Sequence, residues 1–344
     1  MIRFNCDYCE GAHQRILDKL VETNMEQTPG YGNDRFCAEA AQMIRDLCKA
    51  PEAAVHFLTG GTQANLTVIA AALRPHQGVL CSEAGHIAVH EAGAVEATGH
   101  KVLGLSAPDG KITAQQVKQA YVDHINDESY DQIVKPGLVY ISQSTELGTT
   151  YSKAELEEMY RVCKECGLYL YVDGARLAYA LGAEGMDVDF EVLAANCDVF
   201  YIGGTKVGAL FGEAVVILND ALKTDFRYIM RQEGGLVAKG RLLGIQFSEL
   251  LRDGFYIETG RRADQLADEI RKACEDRGYP FLVPNNTNQV FPVIPDAVLE
   301  SWKDKYTFAY QCRVDESHSA VRFCTSWATR PEDVKALADD IRNS

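Results

Sequence analysis

The feature that most constrains the fold of this chain is the alternation of short apolar segments with longer amphipathic segments between residues 50 and 217. The short segments are rich in β-branched and aromatic residues, as strands are, and the longer ones have helical periodicity. Alternation of this kind predicts an α/β fold, in which helices cover both faces of a mainly parallel sheet. The predicted strands are 54–58, 78–81, 101–105, 138–142, 168–172, 199–202 and 214–218, and the helices between them include 62–73, 113–122 and 153–166.

The pattern changes after Asn219. Two long, charged amphipathic helices are predicted first, and short strands and a last helix follow them. This order predicts a smaller α+β domain, so we divide the chain into a large domain over residues 1–240, with an N-terminal arm, and a small domain over 241–344. The predicted elements are helices at 235–252 and 259–277, strands at 289–294, 307–311 and 320–324, and a helix from Pro331.

Composition narrows the class of protein. The net charge of −15 argues against nucleic acid or an anionic membrane as the main partner, because both require a basic surface. No apolar run approaches the length of a membrane span, and the N-terminus has no signal-peptide pattern. The eleven cysteines are then expected to be reduced thiols in a cytoplasmic protein. Their two CxxC pairs are too far apart for a zinc ribbon, and we expect no metal site.

Two polar segments that follow apolar runs carry the strongest chemical signal. Asp173 follows the run 168–172, and Lys206 lies among glycines just after the run 199–202. A carboxylate and an amine at neighbouring strand ends are what pyridoxal 5′-phosphate requires, since the carboxylate pairs with the pyridinium nitrogen and the amine forms a Schiff base. The alternative interpretation is an Asp at a helix N-cap and a Lys in a surface turn.

Three further polar groups follow predicted strands, at the edge where open parallel sheets bind ligands. The turn Gly60-Gly61-Thr62 precedes a helix, whose free backbone N–H groups suit a phosphate. His86 opens another helical segment and is suited to stacking on a flat ring, and Glu146 follows the strand 138–142. Taken singly, these residues are also compatible with a plain βα turn, a buried histidine and a solvated loop carboxylate.

Arg322 lies in the middle of a predicted apolar strand of the small domain. A buried guanidinium needs a partner, and its forked geometry suits a carboxylate. Together with Arg176, it could clamp the carboxylate of an amino acid across the domain boundary. An interdomain salt bridge to an Asp or Glu is the alternative.

With these residues assembled, the chain resembles the L-threonine aldolases, within the aromatic-amino-acid β-eliminating lyase group of fold-type-I pyridoxal-phosphate enzymes. The resemblance extends over nearly the whole chain. The ordered set of motifs that carries it is highly specific, although single pieces are not. The motifs are YGND from Tyr31, GGTQAN, GHIAVHEAGA, QSTELGT, DGARLA, GGTKVGALFGEAVV, RQEGG and VRFCTSW.

The resemblance implies an aspartate-aminotransferase-like fold with a mainly parallel seven-stranded sheet. It also implies roles for individual residues, and a homo-oligomer, dimer or tetramer, in which subunits share active sites. Lys206 would be the Schiff-base lysine, Asp173 the pyridinium partner and His86 the stacking ring. Gly61 and Thr62 would hold the cofactor phosphate, and Gln63 and Arg176 would also bind the cofactor. Arg176 and Arg322 would bind the substrate carboxylate, and Tyr31 and Arg231 would belong to the neighbouring subunit's site.

One departure from the family pattern affects the chemistry. Many threonine aldolases carry a His, in a motif reading roughly ENTHN, where this chain has Glu146. The general base is therefore left open among His86, Glu146 and a water molecule. The resemblance implies retro-aldol cleavage of L-threonine, L-allo-threonine or phenylserine-type substrates to glycine and an aldehyde. The alternatives are a β-eliminating lyase that releases pyruvate and ammonia, and a non-catalytic binding protein on the same fold.

Overall fold

A seven-stranded sheet forms the centre of the larger part of the molecule, and the computed structural model describes all 344 residues of the chain. The strands are β1 (Ile2–Arg3), β2 (Ala54–Leu58), β3 (Gln77–Ser82), β4 (Lys101–Leu105), β5 (Lys135–Ser142), β6 (Tyr169–Asp173), β7 (Val199–Gly203), β8 (Glu213–Ile217), β9 (Gln289–Val290), β10 (Val293–Pro295), β11 (Tyr306–Thr307), β12 (Ala309–Arg313) and β13 (His318–Cys324).

The large sheet has the strand order β2-β8-β7-β6-β5-β3-β4. Its neighbours from β7 to β4 pair in parallel, whereas β8 is antiparallel to both β7 and β2. The sheet is therefore parallel except for one reversed strand, and the predicted α/β fold is confirmed. Because the parallel strands run in one direction, the residues that follow β2, β3, β5, β6 and β7 meet at one edge.

Fifteen helices surround the sheets. They are α1 (Gln14–Glu22), α2 (Arg35–Leu47), α3 (Gly61–Ala72), α4 (His86–Val89), α5 (Ala94–Ala97), α6 (Ala114–Asn126), α7 (Lys153–Cys166), α8 (Leu177–Gly182), α9 (Phe190–Ala195), α10 (Asp220–Lys223), α11 (Phe226–Gln232), α12 (Arg241–Leu251), α13 (Phe255–Arg277), α14 (Asp296–Trp302) and α15 (Pro331–Arg342). None of them is long and apolar enough to cross a membrane.

Both faces of the large sheet are buried in separate apolar cores. In β6, Leu170 and Val172 point into the core that α2, α6, α7 and α12 cover, and Tyr171 points into the core beneath α3, α5 and α11. This two-sided burial explains why the strand appears in the sequence as a continuous apolar run instead of an alternating one.

A third core lies in the C-terminal part of the chain. There α13 and α15 pack with β9, β10 and β13, and Phe4 from the N-terminal arm is buried among them. The helix α12 contributes Leu243 and Phe247 to the core around α2 and α7. The division of the chain at residue 240 stays a prediction.

Three predicted elements differ clearly from the observed ones. The predicted strand 307–311 is divided between β11, which pairs with β1, and β12, which pairs with β13. The predicted strand 289–294 is interrupted between β9 and β10, where Pro292 has no N–H to donate to a sheet ladder. The predicted helix 235–252 begins only at Arg241. The carbonyl of Ala238 instead accepts a hydrogen bond from the N–H of Tyr31 at 3.1 Å, so a contact with a distant part of the chain holds this segment outside the helix.

Candidate active site

A cavity of about 350 Å³ lies at the carboxyl edge of the large sheet. The parallel strands β2, β3, β5, β6 and β7 are each followed by residues that line it. For example, Asp173 ends β6, and Lys206 follows β7. The cavity brings together most of the residues that the sequence analysis singled out. Its lining includes Gly61, Thr62, His86, Glu146, Asp173, Arg176 and Lys206.

The carboxylate of Asp173 is buried and saturated with hydrogen bonds. Its Oδ1 accepts from the hydroxyl of Tyr201 at 2.5 Å and from the backbone N–H of Ala175 at 2.9 Å. Its Oδ2 accepts from the hydroxyl of Tyr140 at 2.5 Å and from Asn65 Nδ2 at 3.2 Å. These four donors match the roughly four lone-pair sites of a carboxylate. The hydrogen bonds therefore hold both carboxylate oxygens of Asp173 in place at the base of the cavity.

A protonated ring nitrogen would be a fifth donor at Asp173, so it must share or replace one of the existing hydrogen bonds. Of the three side-chain donors, only Tyr201 lines the cavity. Tyr201 is therefore the donor that a bound ring would displace, and Tyr140 and Asn65 would keep the carboxylate in place from behind.

Lys206 lines the cavity within a turn of glycines. Burial and the nearby cation of Arg176 lower the pKa of Lys206, although Asp7, Asp173 and Glu213 oppose the shift. A lowered pKa increases the fraction of neutral amine, which is the form that attacks a carbonyl group. The environment of Lys206 thus suits a nucleophilic amine.

The start of α3 provides a cradle for an anion. No side chain caps this helix at Gly60, so its first N–H groups are free of local partners. A Cβ atom on Gly61 would lie 3.2 Å from the Tyr201 hydroxyl, so the turn has little room for a side chain there. A carboxylate for a ring nitrogen, a buried amine and an uncapped helix start are the donor set that pyridoxal phosphate needs, and the residues fit this cofactor.

His86, at the start of α4, is held by a buried carboxylate. Its Nδ1 lies 2.7 Å from Oε1 of Glu91, and the same oxygen accepts a hydrogen bond from Asn65 Nδ2 at 2.7 Å. Because Asn65 also donates to Asp173, the two acids are linked through one amide. Packing and hydrogen bonds therefore fix the orientation of the His86 ring.

Glu146 is half-buried and lines the cavity close to the start of α4. Its Oε1 accepts hydrogen bonds from Ser142 Oγ at 2.8 Å and from the backbone N–H of His86 at 2.9 Å. Burial raises the pKa of Glu146, although the hydrogen bond from Ser142 opposes the shift. A carboxyl group with a raised pKa is closer to the range of an efficient general base.

The two predicted carboxylate-binding arginines have different partners. Arg176 makes a bidentate ion pair with Asp7 of the N-terminal arm, through Nε at 2.8 Å and Nη2 at 3.1 Å. Burial alone would raise the pKa of Asp7, but Arg176 and Lys206 hold it well below its usual range. Asp7 and Arg176 both lie in the predicted large domain, so this ion pair is not the interdomain salt bridge given as the alternative, and the role of Arg176 at the substrate carboxylate stays a prediction.

Arg322 has no carboxylate partner. Its Nη1 donates to the neutral amide of Gln289 at 3.2 Å and its Nη2 to the carbonyl of Asn5 at 3.1 Å, while its buried Nε has no acceptor. It lines a cleft of about 680 Å³ that shares His86, Glu146, Arg176 and Lys206 with the cavity. Arg322 therefore brings an unneutralised positive charge to this cleft.

Three predicted residues lie outside both spaces. The side chain of Gln63 forms hydrogen bonds with Thr59 and with the carbonyl of Glu233. Arg231 stacks on the ring of Tyr31, with 5.2 Å between the guanidinium carbon and the ring centroid. Neither Tyr31 nor Arg231 lines the cavity of its own chain, and their roles, like that of Gln63, stay predictions.

Sequence reasoning missed three acids that touch this site: Asp7, Glu91 and Glu213. Glu91 and Glu213 lie in the quoted motifs GHIAVHEAGA and GGTKVGALFGEAVV, where an acid beside apolar residues was the available signal. Asp7 had no such signal, because it reaches Arg176 from 169 positions away in the chain.

Comparison with known proteins places this site in a family. A family model described as beta-eliminating lyase matches residues 7–297. A low specificity L-threonine aldolase of Pseudomonas sp. (strain NCIMB 10558) is 31% identical over 99% of this chain and 97% of its own length. A solved threonine aldolase of Leishmania major has a TM-score of 0.97 and 41% identity, with 100% of this chain and 99% of that chain covered.

The fold recurs at low identity in aminotransferases. An aspartate aminotransferase of Thermus thermophilus has a TM-score of 0.71 at 15% identity, and the match covers 100% of this chain and 91% of that chain. This similarity confirms the predicted aspartate-aminotransferase-like fold. The predicted cofactor, pyridoxal phosphate, is the one that this family uses. The chain belongs to the beta-eliminating lyase family of pyridoxal-phosphate-dependent enzymes, and its full-length relatives there are threonine aldolases.

Proposed function

We propose that the protein is a pyridoxal-phosphate-dependent aldolase that cleaves L-threonine, L-allo-threonine and related β-hydroxy-α-amino acids to glycine and an aldehyde. The names of its full-length relatives support this activity. The observation that carries it is the joint lining of one continuous space by Lys206, Glu146 and an arginine without a carboxylate partner, Arg322.

When bound, pyridoxal phosphate withdraws electrons from the bonds at the substrate Cα. Four parts of the chain would hold it: Lys206 at its carbonyl carbon, Asp173 at its ring nitrogen, His86 against its ring, and the start of α3 at its phosphate. Asp173 contributes a carboxylate that four hydrogen bonds keep in place. This preorganisation favours the protonated ring nitrogen, which makes the electron withdrawal stronger.

The arginines would bind the carboxylate of the amino acid. Arg322 brings the unneutralised charge, because its present partners are a neutral amide and a backbone carbonyl. Arg176 has its Nε and Nη2 engaged by Asp7, so its remaining nitrogen would complete the contact from the other side. The ion pair with Asp7 orients Arg176, and Arg322 provides most of the electrostatic attraction.

Glu146 would act as the general base. Ser142 and the backbone of His86 hold its Oε1, so the second oxygen remains to accept a proton. The proton moves from the β-hydroxyl oxygen to this carboxylate as the Cα–Cβ bond breaks, and the oxygen becomes the carbonyl oxygen of the aldehyde. A positioned base typically accelerates a reaction by ~10²- to 10⁴-fold.

We also propose that the enzyme is a cytoplasmic homo-oligomer, a dimer or tetramer, in which Tyr31 and Arg231 reach the cavity of the neighbouring subunit. Both residues lie on the surface, away from the cavity of their own chain. If they act in a neighbour, mixing inactive Lys206→Ala and inactive Arg231→Ala subunits restores about one quarter to one half of the sites. A mixture that stays inactive would contradict this arrangement.

Product analysis tests the proposed reaction. The purified holoenzyme is incubated with L-threonine, L-allo-threonine and L-phenylserine, and glycine, acetaldehyde, benzaldehyde, pyruvate and ammonia are measured. We expect glycine and the matching aldehyde in equal amounts. Pyruvate and ammonia without glycine would indicate β-elimination instead, and no turnover by a cofactor-loaded protein would favour a binding protein.

A pair of variants links the activity to the cavity. Lys206→Ala should abolish both turnover and the visible absorbance of lysine-linked cofactor, whereas Lys272→Ala, at an exposed position of α13, should leave both unchanged. Turnover that survives in Lys206→Ala would place the chemistry elsewhere.

A further inference from the structure

An acid lies where the cofactor phosphate is expected. Glu213, the first residue of β8, is only 3% exposed and lines the same cavity as Gly60, Gly61 and Thr62. In the pairing of β8 with β2, Glu213 is opposite Leu58, the last residue of β2 before the turn that leads into α3. Glu213 therefore shares one end of the cavity with the uncapped helix start that suits a phosphate.

This end of the cavity has no cationic side chain of its own. The lysines and arginines that line the cavity are Lys206, which would hold the cofactor carbonyl, and Arg176, which is paired with Asp7. Within its own chain, a phosphate bound at the start of α3 would therefore meet backbone N–H groups, Thr62 and Glu213. An ionised Glu213 would repel it.

The hydrogen bonds of Glu213 show which group could donate to a bound phosphate. Its Oε1 accepts from the hydroxyl of Thr205 at 2.9 Å, and its Oε2 accepts from the backbone N–H of Gly204 at 3.2 Å. Thr205 Oγ1 in turn accepts from the N–H of Gly212 at 3.1 Å. Thr205 donates its only hydroxyl proton to Glu213, so Thr205 cannot donate a hydrogen bond to a phosphate. Any hydrogen bond from this pair to the phosphate must therefore come from Glu213.

The charged and titratable groups around Glu213 are few. They are Lys206 after β7, Asp173 at the end of β6, and the buried hydroxyls of Tyr171, Tyr201 and Tyr256. Burial raises the pKa of Glu213 to about 8, although the hydrogen bond from Thr205 and the charge of Lys206 oppose the shift. A dianion in the same cavity would raise this pKa further, because a like charge disfavours ionisation.

We propose that Glu213 binds the cofactor phosphate as a neutral carboxylic acid, whose O–H donates a hydrogen bond to a phosphate oxygen next to the start of α3. The proposal rests on the proposed function only in its use of pyridoxal phosphate, not in the reaction catalysed. No atom is transferred in this contact, and the proton stays on Glu213.

The proposal predicts that the affinity for pyridoxal phosphate depends on pH through the ionisation of Glu213. As the pH rises through the pKa of Glu213, the donor is lost and a negative charge appears beside the phosphate. The affinity for pyridoxal phosphate should then fall by up to about tenfold per pH unit, the limit for one linked proton. Pyridoxal, which lacks the phosphate, should not respond to this ionisation.

The test measures cofactor binding without substrate. Pyridoxal phosphate and pyridoxal are titrated into the cofactor-free protein between pH 6.5 and 9.5 by absorbance, for the wild type, Glu213→Gln and Glu269→Gln. Glu213→Gln keeps a neutral donor, so we expect near wild-type affinity at pH 7 and at least about tenfold tighter binding than the wild type at pH 9.5. Glu269→Gln, exposed on α13, should behave as the wild type.

Parallel pH profiles for the wild type and Glu213→Gln, or an equal difference with pyridoxal, would overturn the proposal. If Glu213→Gln does not fold, the ³¹P resonance of cofactor bound to the wild-type protein decides instead. It should shift with an apparent pKa of about 8 or above, and a resonance that does not move would overturn the proposal. Absence of any pyridoxal-phosphate binding would overturn both this inference and the proposed function, whereas binding without aldol cleavage would affect only the latter.

Discussion

His86 and Glu91 form a 2.7 Å contact between Nδ1 and Oε1, in which the Glu91 side chain is completely buried and the His86 side chain is 35% exposed. Asn65 links the same carboxylate oxygen to Asp173, so His86 and Asp173 belong to one hydrogen-bonded network. The second oxygen of Glu91 is buried without a partner. Glu91 is therefore held in the core by its contacts with His86 and Asn65, and it positions the His86 ring.

Replacing Glu91 with Gln should impair the reaction more than the fold. The change keeps the side-chain shape but removes a charge-assisted hydrogen bond, which is worth about 1.5–3 kcal/mol. We expect kcat to fall by roughly 10- to 100-fold while cofactor absorbance and substrate KM stay close to the wild type. Steady-state kinetics measures this, with Glu96→Gln, exposed on α5, as the control. An unchanged kcat would mean that the orientation of His86 does not depend on Glu91.

The two arginines should respond differently to substitution. Arg322→Gln removes the charge without a carboxylate partner, so KM for L-threonine should rise by roughly 10- to 100-fold with little change in thermal stability. Arg176→Gln leaves Asp7 buried and unpaired, which typically costs about 3–5 kcal/mol of folding stability. Kinetics and thermal unfolding of both variants distinguish these effects. Equal losses of stability would show that Arg322 is also a structural residue.

Glu146→Gln tests the identity of the base. We expect kcat to fall by ~10²- to 10⁴-fold, because an amide cannot accept the β-hydroxyl proton. Burial raises the pKa of Glu146, so wild-type activity should be lost as the pH falls through that raised value. Glu146→Gln should lack this dependence. If its kcat stays within about threefold of the wild type, His86 or a water molecule is the base.

Asp264 should make the free energy of unfolding decrease as the pH rises. Both of its oxygens are buried without a hydrogen-bond partner, and burial raises its pKa to about 9. The folded state thus retains a proton that the unfolded chain releases near pH 4, so stability falls as the pH rises between these values. The free energy of unfolding should decrease by up to about 1.4 kcal/mol per pH unit relative to Asp264→Asn.

Urea unfolding of the holoenzyme at pH 6, 7 and 8 measures this difference. Glu269→Gln, at an exposed position of the same helix, should track the wild type. A constant gap between the wild type and Asp264→Asn across this range would show that Asp264 does not take up a proton on folding.

Much of the fold could be predicted because the relevant signals are local. The strand β4 and the helix α7 have the bounds that periodicity predicted, and a buried strand such as β6 is a continuous apolar run. The interruption of a predicted strand depended on a single residue, Pro292. The exact ends of the long helices were less predictable, because tertiary packing competes with local propensity there.

The sequence by itself determined which chemical groups would surround the cofactor. Parallel strands must end at one edge, so the order of Asp173, Lys206 and Glu146 along the chain was enough to bring them together. Only the tertiary structure decided how those groups are charged and paired. Asp7 neutralises Arg176, Arg322 is left without a carboxylate, and Glu213 faces the helix start at α3. These relationships depend on burial and on contacts between distant parts of the chain, which no local periodicity encodes.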